Sequence, residues 1–203
     1  MMRKKKEGMI NGFENTVPNL PIRVEARDFQ VPENLCLESW SNEITGSPYF
    51  FDDYKLGEEI HHLDGQTIEE AEHQLATRLY QNNARVHFNQ DVEKLGRFGK
   101  RIIYGGYIIS LARAISCNGL ANCFKLLAIH SGKHSAPTFS SDTIYSWSKI
   151  LAKEKINDKF GSLYLRTLAS KNNSSMSFPE KNSLSKNIVL DLEYSTLIPI
   201  RHS

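Results

Sequence analysis

The chain has 203 residues, 40% of them apolar and 24% charged, enough for one domain with a real core and the balance of an ordinary globular protein. Its formal net charge is only +2, from 25 basic and 23 acidic side chains, and much of that excess sits in Arg3-Lys4-Lys5-Lys6. A basic tetrad at a terminus reads as a solvated start, and no basic stripe with interleaved aromatics follows it, so nucleic acid is not an expected partner.

A membrane is not expected either. No apolar run approaches the roughly 18 residues a bilayer span requires, and Lys, Glu, Asn and Pro interrupt residues 6–21 where a signal peptide would be continuous. Cys36, Cys117 and Cys123 are odd in number and form no CxxC pair, so they read as reduced thiols of a cytoplasmic protein.

Residues 1–46 lack a sustained period and carry Pro18, Pro21 and Pro32, which predicts an extended leader wrapping the domain or a partner, with the domain itself over 47–203. Gly57 to Leu63 predicts a short strand stopped by a turn at Asp64-Gly65. Thr67 to Glu70 has the spacing of a capping box and opens a helix to about Tyr80, with Ile68, Ala71, Leu75 and Leu79 on its apolar face. Gln81-Asn82-Asn83 ends it, and a loop passes through His87 to Gly96-Arg97-Phe98-Gly99.

Gly105-Gly106 starts a second helix from Tyr107 to about Cys117, apolar nearly all round through Ile108, Leu111, Ala112 and Ile115, and therefore expected to be buried. Asn118-Gly119 stops it. Everything beyond reads as strands: 124–130, 142–156, 163–169 and 188–198, with a Ser- and Asn-rich loop over 171–186. In the second of these, Ile144, Ser146, Ser148 and Ile150 share one face, and Tyr145, Trp147 and Lys149 the other. The order predicts an α+β fold, an antiparallel sheet wrapped around one long buried helix.

No metal site is expected. His61 and His62 are adjacent in a strand and point to opposite faces. His130 and His134 flank Ser131-Gly132, read as a turn, with no Cys or acidic pair nearby. Ser131 has no G-x-S-x-G frame, and the GRFG loop has too few glycines for a phosphate cradle.

Several segments together resemble the MaoC-like hydratases and dehydratases, and within them the second half of the mesaconyl-CoA hydratase (beta-methylmalyl-CoA dehydratase) branch. They are Asp52-Asp53-Tyr54, residues 65–72, TRLYQNNARVHF (77–88), GRFGKRIIYGGYIISLARAISCNGL (96–120), DTIYSW (142–147) and VLDLEY (189–194). The resemblance covers about residues 49–201. It implies a hotdog fold and the addition or removal of water at the double bond of a branched dicarboxylic acyl-CoA. The CoA thioester is the substrate, no other cofactor is implied, and the partner is a second hotdog half, from a homodimer or a separate subunit. The alternatives are a non-catalytic acyl-CoA-binding or scaffold half of a divided enzyme, and a hotdog thioesterase.

Under that resemblance the catalytic candidates are His87, Asn82 and Gly105, and the substrate-binding candidates are Arg85, Tyr104 and Gly106. His87 would be the base, because imidazole titrates near working pH. Gly105 would receive the charge developing on the thioester oxygen, since free N–H groups at a helix N-terminus favour an anion and a missing Cβ admits a close approach. The alternative is that Gly105-Gly106 serves only a tight turn. The wider family has Asp where this chain has Asn82; an amide orients water or imidazole but accepts no proton at neutral pH. Arg85 could pair with a substrate carboxylate, bind a CoA phosphate or face solvent. Tyr104 and Asn118 line either the acyl pocket or the core. Ser141 stands where the family tends to have glycine.

Overall fold

Alternation builds the longest elements. In β3 (Thr143–Lys155), β4 (Phe160–Lys171) and β5 (Ile188–Pro199) successive side chains fall on opposite faces. With β1 (Glu59–Thr67) and β2 (Lys125–His134) they form one antiparallel sheet in the order β1-β3-β4-β5-β2. The computed structural model describes residues 19–174, 178–179 and 185–201; the basic tetrad and part of the Ser-rich loop lie outside them.

Among the described residues four α-helices accompany the sheet: α1 (Asn42–Thr45), α2 (Glu70–Leu79), α3 (Gln90–Glu93) and α4 (Gly105–Leu120). The long one, α4, crosses the inner face. Ile108, Leu111 and Ala112 pack there with Ile144, Leu163 and Leu190, all buried. Each large aliphatic side chain so placed contributes about 1.5–3 kcal/mol. The opposite side of α4 is partly exposed, with Ser110 and Ala114 at the surface, so this helix is half-enveloped by its own chain. At Asn118 and Gly119 (φ 103°) the helix kinks, where the sequence predicts its end.

The outer face of the sheet carries polar residues that satisfy one another. Arg166 donates twice to the Asp191 carboxylate, at 2.9 and 2.8 Å, and the Tyr164 hydroxyl donates to Glu193 at 2.5 Å. Segment 19–46 lies over this face. Leu37 buries itself with Phe160 and Leu197, joined by Val31, Leu35 and Trp40. Arg23 pairs with Glu154 at 2.6 Å and stands over the Tyr164 ring at 4.5 Å.

Several local expectations fail for identifiable reasons. Asp64-Gly65 does not end β1. It forms a bulge, and pairing resumes from His62↔Ser146 to Gln66↔Ile144. Gly65 is required there because a Cβ would lie 2.5 Å from the Tyr145 ring. Thr67 does not cap α2: it closes β1, and its hydroxyl bonds that of Thr143 across the strands at 2.8 Å. Glu69 precedes the helix and makes no side-chain cap.

The inner face of α2 is His73, Ala76 and Thr77. Leu75 and Leu79, expected inside, are 53% and 68% exposed. Ile68 is buried but precedes the helix, held by backbone bonds to residues 141 and 142. Ser131-Gly132 is not a turn either, because β2 runs through it to His134 with irregular register beside it. Ser141 adopts φ 75°, the left-handed region that favours glycine, at a cost of about 1 kcal/mol.

Candidate active site

The N-terminus of α4 is held open by what surrounds it. Tyr104 takes extended backbone just ahead of the helix, and Gly105 and Gly106 supply its first turn, whose N–H groups have no acceptor within the helix. Beside them is a pocket of about 370 Å³ lined by His87, Ile102, Ile103, Gly105, Ile108 and His134, with residues 135–138 completing one wall. Neither glycine has positive φ, so tight-turn geometry is not what demands them. Close approach does. A Cβ on Gly105 would lie 2.6 Å from His134 Nε2, and one on Gly106 would lie 2.6 Å from the Tyr104 ring.

His87 ends a 3-10 turn, Arg85–His87. Its Nδ1 lies 3.0 Å from the Ile102 carbonyl, which can only accept, so Nδ1 carries the hydrogen and Nε2 of the neutral ring keeps its lone pair. Gln74 of α2 donates to the His87 carbonyl at 2.9 Å, anchoring the same residue from a second element. His134 stands across from it on β2, with its Nε2 corner facing Gly105. Desolvation draws its pKa below the ordinary imidazole value.

A third imidazole holds this end together from behind. His73 is fully buried, and its Nε2 accepts the Tyr104 N–H at 2.9 Å. Burial pushes its pKa down to about 4, so it stays neutral. Its ring stands 6.4 Å from that of His87 and 6.2 Å from that of Tyr107. Helix α2 thus fixes both the loop that carries His87 and the entry to α4.

No family model matches the chain. Among curated proteins it is 48% identical to the beta-methylmalyl-CoA dehydratase of Chloroflexus aurantiacus, over 99% of this chain and 58% of that protein. It is 40% identical to the mesaconyl-CoA hydratase of Cereibacter sphaeroides, over 98% and 58%. Among solved structures, a MaoC domain protein dehydratase from Chloroflexus aurantiacus superposes with a TM-score of 0.87 at 48% identity, over 98% of this chain and 58% of that one. The chain is similar to MaoC-domain dehydratases. It spans somewhat more than half the length of the relatives it matches. A Mycobacterium tuberculosis protein described as a double hotdog fold matches 85% of the chain at 26% identity, with a TM-score of 0.57 and 48% of its own length covered.

Within this MaoC-like domain the predicted site residues do not all meet. His87 and Gly105 share the pocket. Asn82 lies in a separate depression with Gln74, Arg78, Gln81 and Phe88, and its side-chain oxygen accepts the Ala84 N–H at 2.9 Å. Arg85 is exposed and does not line the pocket. The Tyr104 ring lies over Gly106 and 5.7 Å from the His87 ring, supporting the site from outside its lining. Asn118 sits at the far end of α4, where it donates to the Leu63 carbonyl.

Sequence reading missed His73 and His134. The signal for His73 was the i, i+3, i+4 stripe it forms with Ala76 and Thr77. Among the described residues, no cluster of three His, Cys, Asp or Glu could hold a metal ion, and no helix is long and apolar enough to cross a membrane. The three cysteines are unpaired.

Proposed function

We propose that this MaoC-like domain carries the reactive centre of an acyl-CoA hydratase or dehydratase, working on substrates of the mesaconyl-CoA and beta-methylmalyl-CoA type. The observation that supports this most is the placement of His87, Nε2 unengaged, in one pocket with the N-terminus of α4. The named activities of relatives at 48% and 40% identity point the same way. In the hydration direction His87 Nε2 takes a proton from water as the water oxygen bonds the β carbon. The charge moves onto the thioester oxygen, which the N–H groups heading α4 stabilise; removing one such donor costs on the order of 10²–10³ in rate. The imidazolium then returns a proton to the α carbon. The CoA thioester is the substrate; the C–O bond forms from water, and the protein's own part is proton transfer and charge stabilisation.

The same reading calls for a second hotdog half, from another copy of the chain or a separate subunit. Leu75 and Leu79, neighbours on α2 and exposed, support a covered surface. A cytoplasmic setting fits the three free thiols.

The test incubates purified protein, alone and with a candidate second half, with mesaconyl-CoA and follows the enoyl-thioester absorbance. The wild-type protein removes that absorbance, and His87→Ala slows the loss by roughly 10²–10⁴. Equal rates for the two proteins would reject His87 as the base. No change with any enoyl-CoA, in either format, would leave an acyl-CoA-binding half without catalysis.

A further inference from the structure

Of the six described imidazoles three are spoken for, and His61 lines a depression away from the pocket. His62 uses both nitrogens, on the Asn118 carbonyl at 2.6 Å and the Ser148 hydroxyl at 2.8 Å. His130 uses both, on the Val24 N–H at 3.2 Å and the Ser195 hydroxyl at 2.8 Å. His73 spends Nε2 on Tyr104. His87 and His134 differ: both line one pocket, His87 anchored through Nδ1 to the Ile102 carbonyl and His134 with Nε2 facing Gly105.

Their chemistry follows from that placement. His87, its Nδ1–H committed to a carbonyl, presents Nε2 as an acceptor while neutral, and a neutral His134 carries one acceptor nitrogen of its own. The partial positive charge at the start of α4 opposes a proton on an imidazole placed against it, and so holds His134 in that form. The carboxylate that the wider family places five residues before His87 is absent, and Asn82, which stands there, has its oxygen engaged outside the pocket.

We propose that His134 is the second catalytic group of this pocket, its Nε2 accepting one hydrogen of the reacting water while His87 Nε2 accepts the other. Held by both hydrogens, the water turns an oxygen lone pair toward the β carbon. The O–H bond facing His87 breaks as the C–O bond forms; the hydrogen facing His134 stays on the product hydroxyl. Dehydration runs the same atoms backward. This rests on the hydratase reading above, and it assigns to a β2 residue the water-holding task left open by Asn82.

The test needs one substitution that keeps the ring and one that keeps the acceptor. His134→Phe is expected to lower kcat about 10²-fold with KM shifted less than threefold, and His134→Gln to recover at least tenfold of that loss through its amide oxygen. A kcat for His134→Phe within threefold of wild type would overturn the proposal, as would a Gln variant no better than Phe. A readout without turnover separates this from failure of the hydratase reading: nitrogen NMR of histidine-labelled wild-type protein titrated with a 3-hydroxyacyl-CoA, whose hydroxyl occupies the water position. Both Nε2 signals are expected to move. Movement of His87 alone defeats the role of His134 and leaves the hydratase reading standing. Movement of both without any turnover supports the pair as a binding site and removes the reaction. Movement of neither defeats both.

Discussion

The two ends of α4 carry histidines in opposite conditions. At its C-terminal end His62 is 4% exposed, both ring nitrogens are bonded, and Tyr54 closes the site by donating to the Gly119 carbonyl at 2.7 Å. At its N-terminal end His87 is bonded at Nδ1 only, and it and His134 open onto a cavity. The same residue type therefore does two jobs on one helix. A ring saturated on both nitrogens ties elements together and has no capacity left for a reactant. A ring fixed at one nitrogen is oriented and still free to act. The number of partners, more than burial, separates them.

Substitution at each end sharpens that contrast. His87→Ala is expected to show the largest effect, the 10²–10⁴ loss of kcat already described, with little change in the denaturation midpoint. His62→Ala should invert the pattern. Leaving the Asn118 carbonyl and the Ser148 hydroxyl without their partner costs about 1–3 kcal/mol in urea unfolding, with kcat within a few fold. A His62 variant that lost activity without losing stability would break the comparison.

The saturated rings also set the acid behaviour. His62 and His73 have folded pKa values of about 4, in each case through burial first, below the ordinary 6.5. The unfolded chain therefore takes up protons that the folded chain refuses. The contribution is complete above pH 6.5 and is lost as pH falls toward 4, with a slope of about 1.4 kcal/mol per pH unit for each ring over that window. Urea midpoints measured between pH 7 and 4 should fall accordingly, and His62→Phe should flatten the slope by one proton. The smallest expected effect is at Thr67. Because its hydroxyl pairs across strands at an exposed position instead of capping α2, Thr67→Ala should cost well under the ~1 kcal/mol typical of a lost N-cap.

What could be read in the sequence followed from regular periods and from the family segments. The alternation in residues 142–156 and 188–198 put Ile144 with Ile150, and Leu190 with Leu192, on common faces, and the structure turns those faces to the core. The glycine pair ahead of an apolar run located the helix N-terminus, and the segment 77–88 supplied the imidazole of His87 beside it. The errors share a cause: a local signal lost to a longer-range bond. Thr67 found Thr143 before it could cap. Leu75 lost the inner face of α2 to His73, because His73 satisfies the Tyr104 N–H and the leucine cannot. Ser131-Gly132 reads as a turn, yet pairing with β5 carries the strand past it and sets His134 on the pocket wall.

The strap formed by residues 19–46 has a mechanical consequence. Because Leu37 and Trp40 wedge against Phe160 and Leu197 on the far side of the sheet from α4, the two layers grip the central strands as a clamp does, from above and below. Peeling the strap away would uncover aromatic and aliphatic surface over β4 and β5, the strands that hold the whole sheet in register. A protease that cut between strap and sheet would thus weaken the body of the molecule, and the chain should melt in one cooperative step.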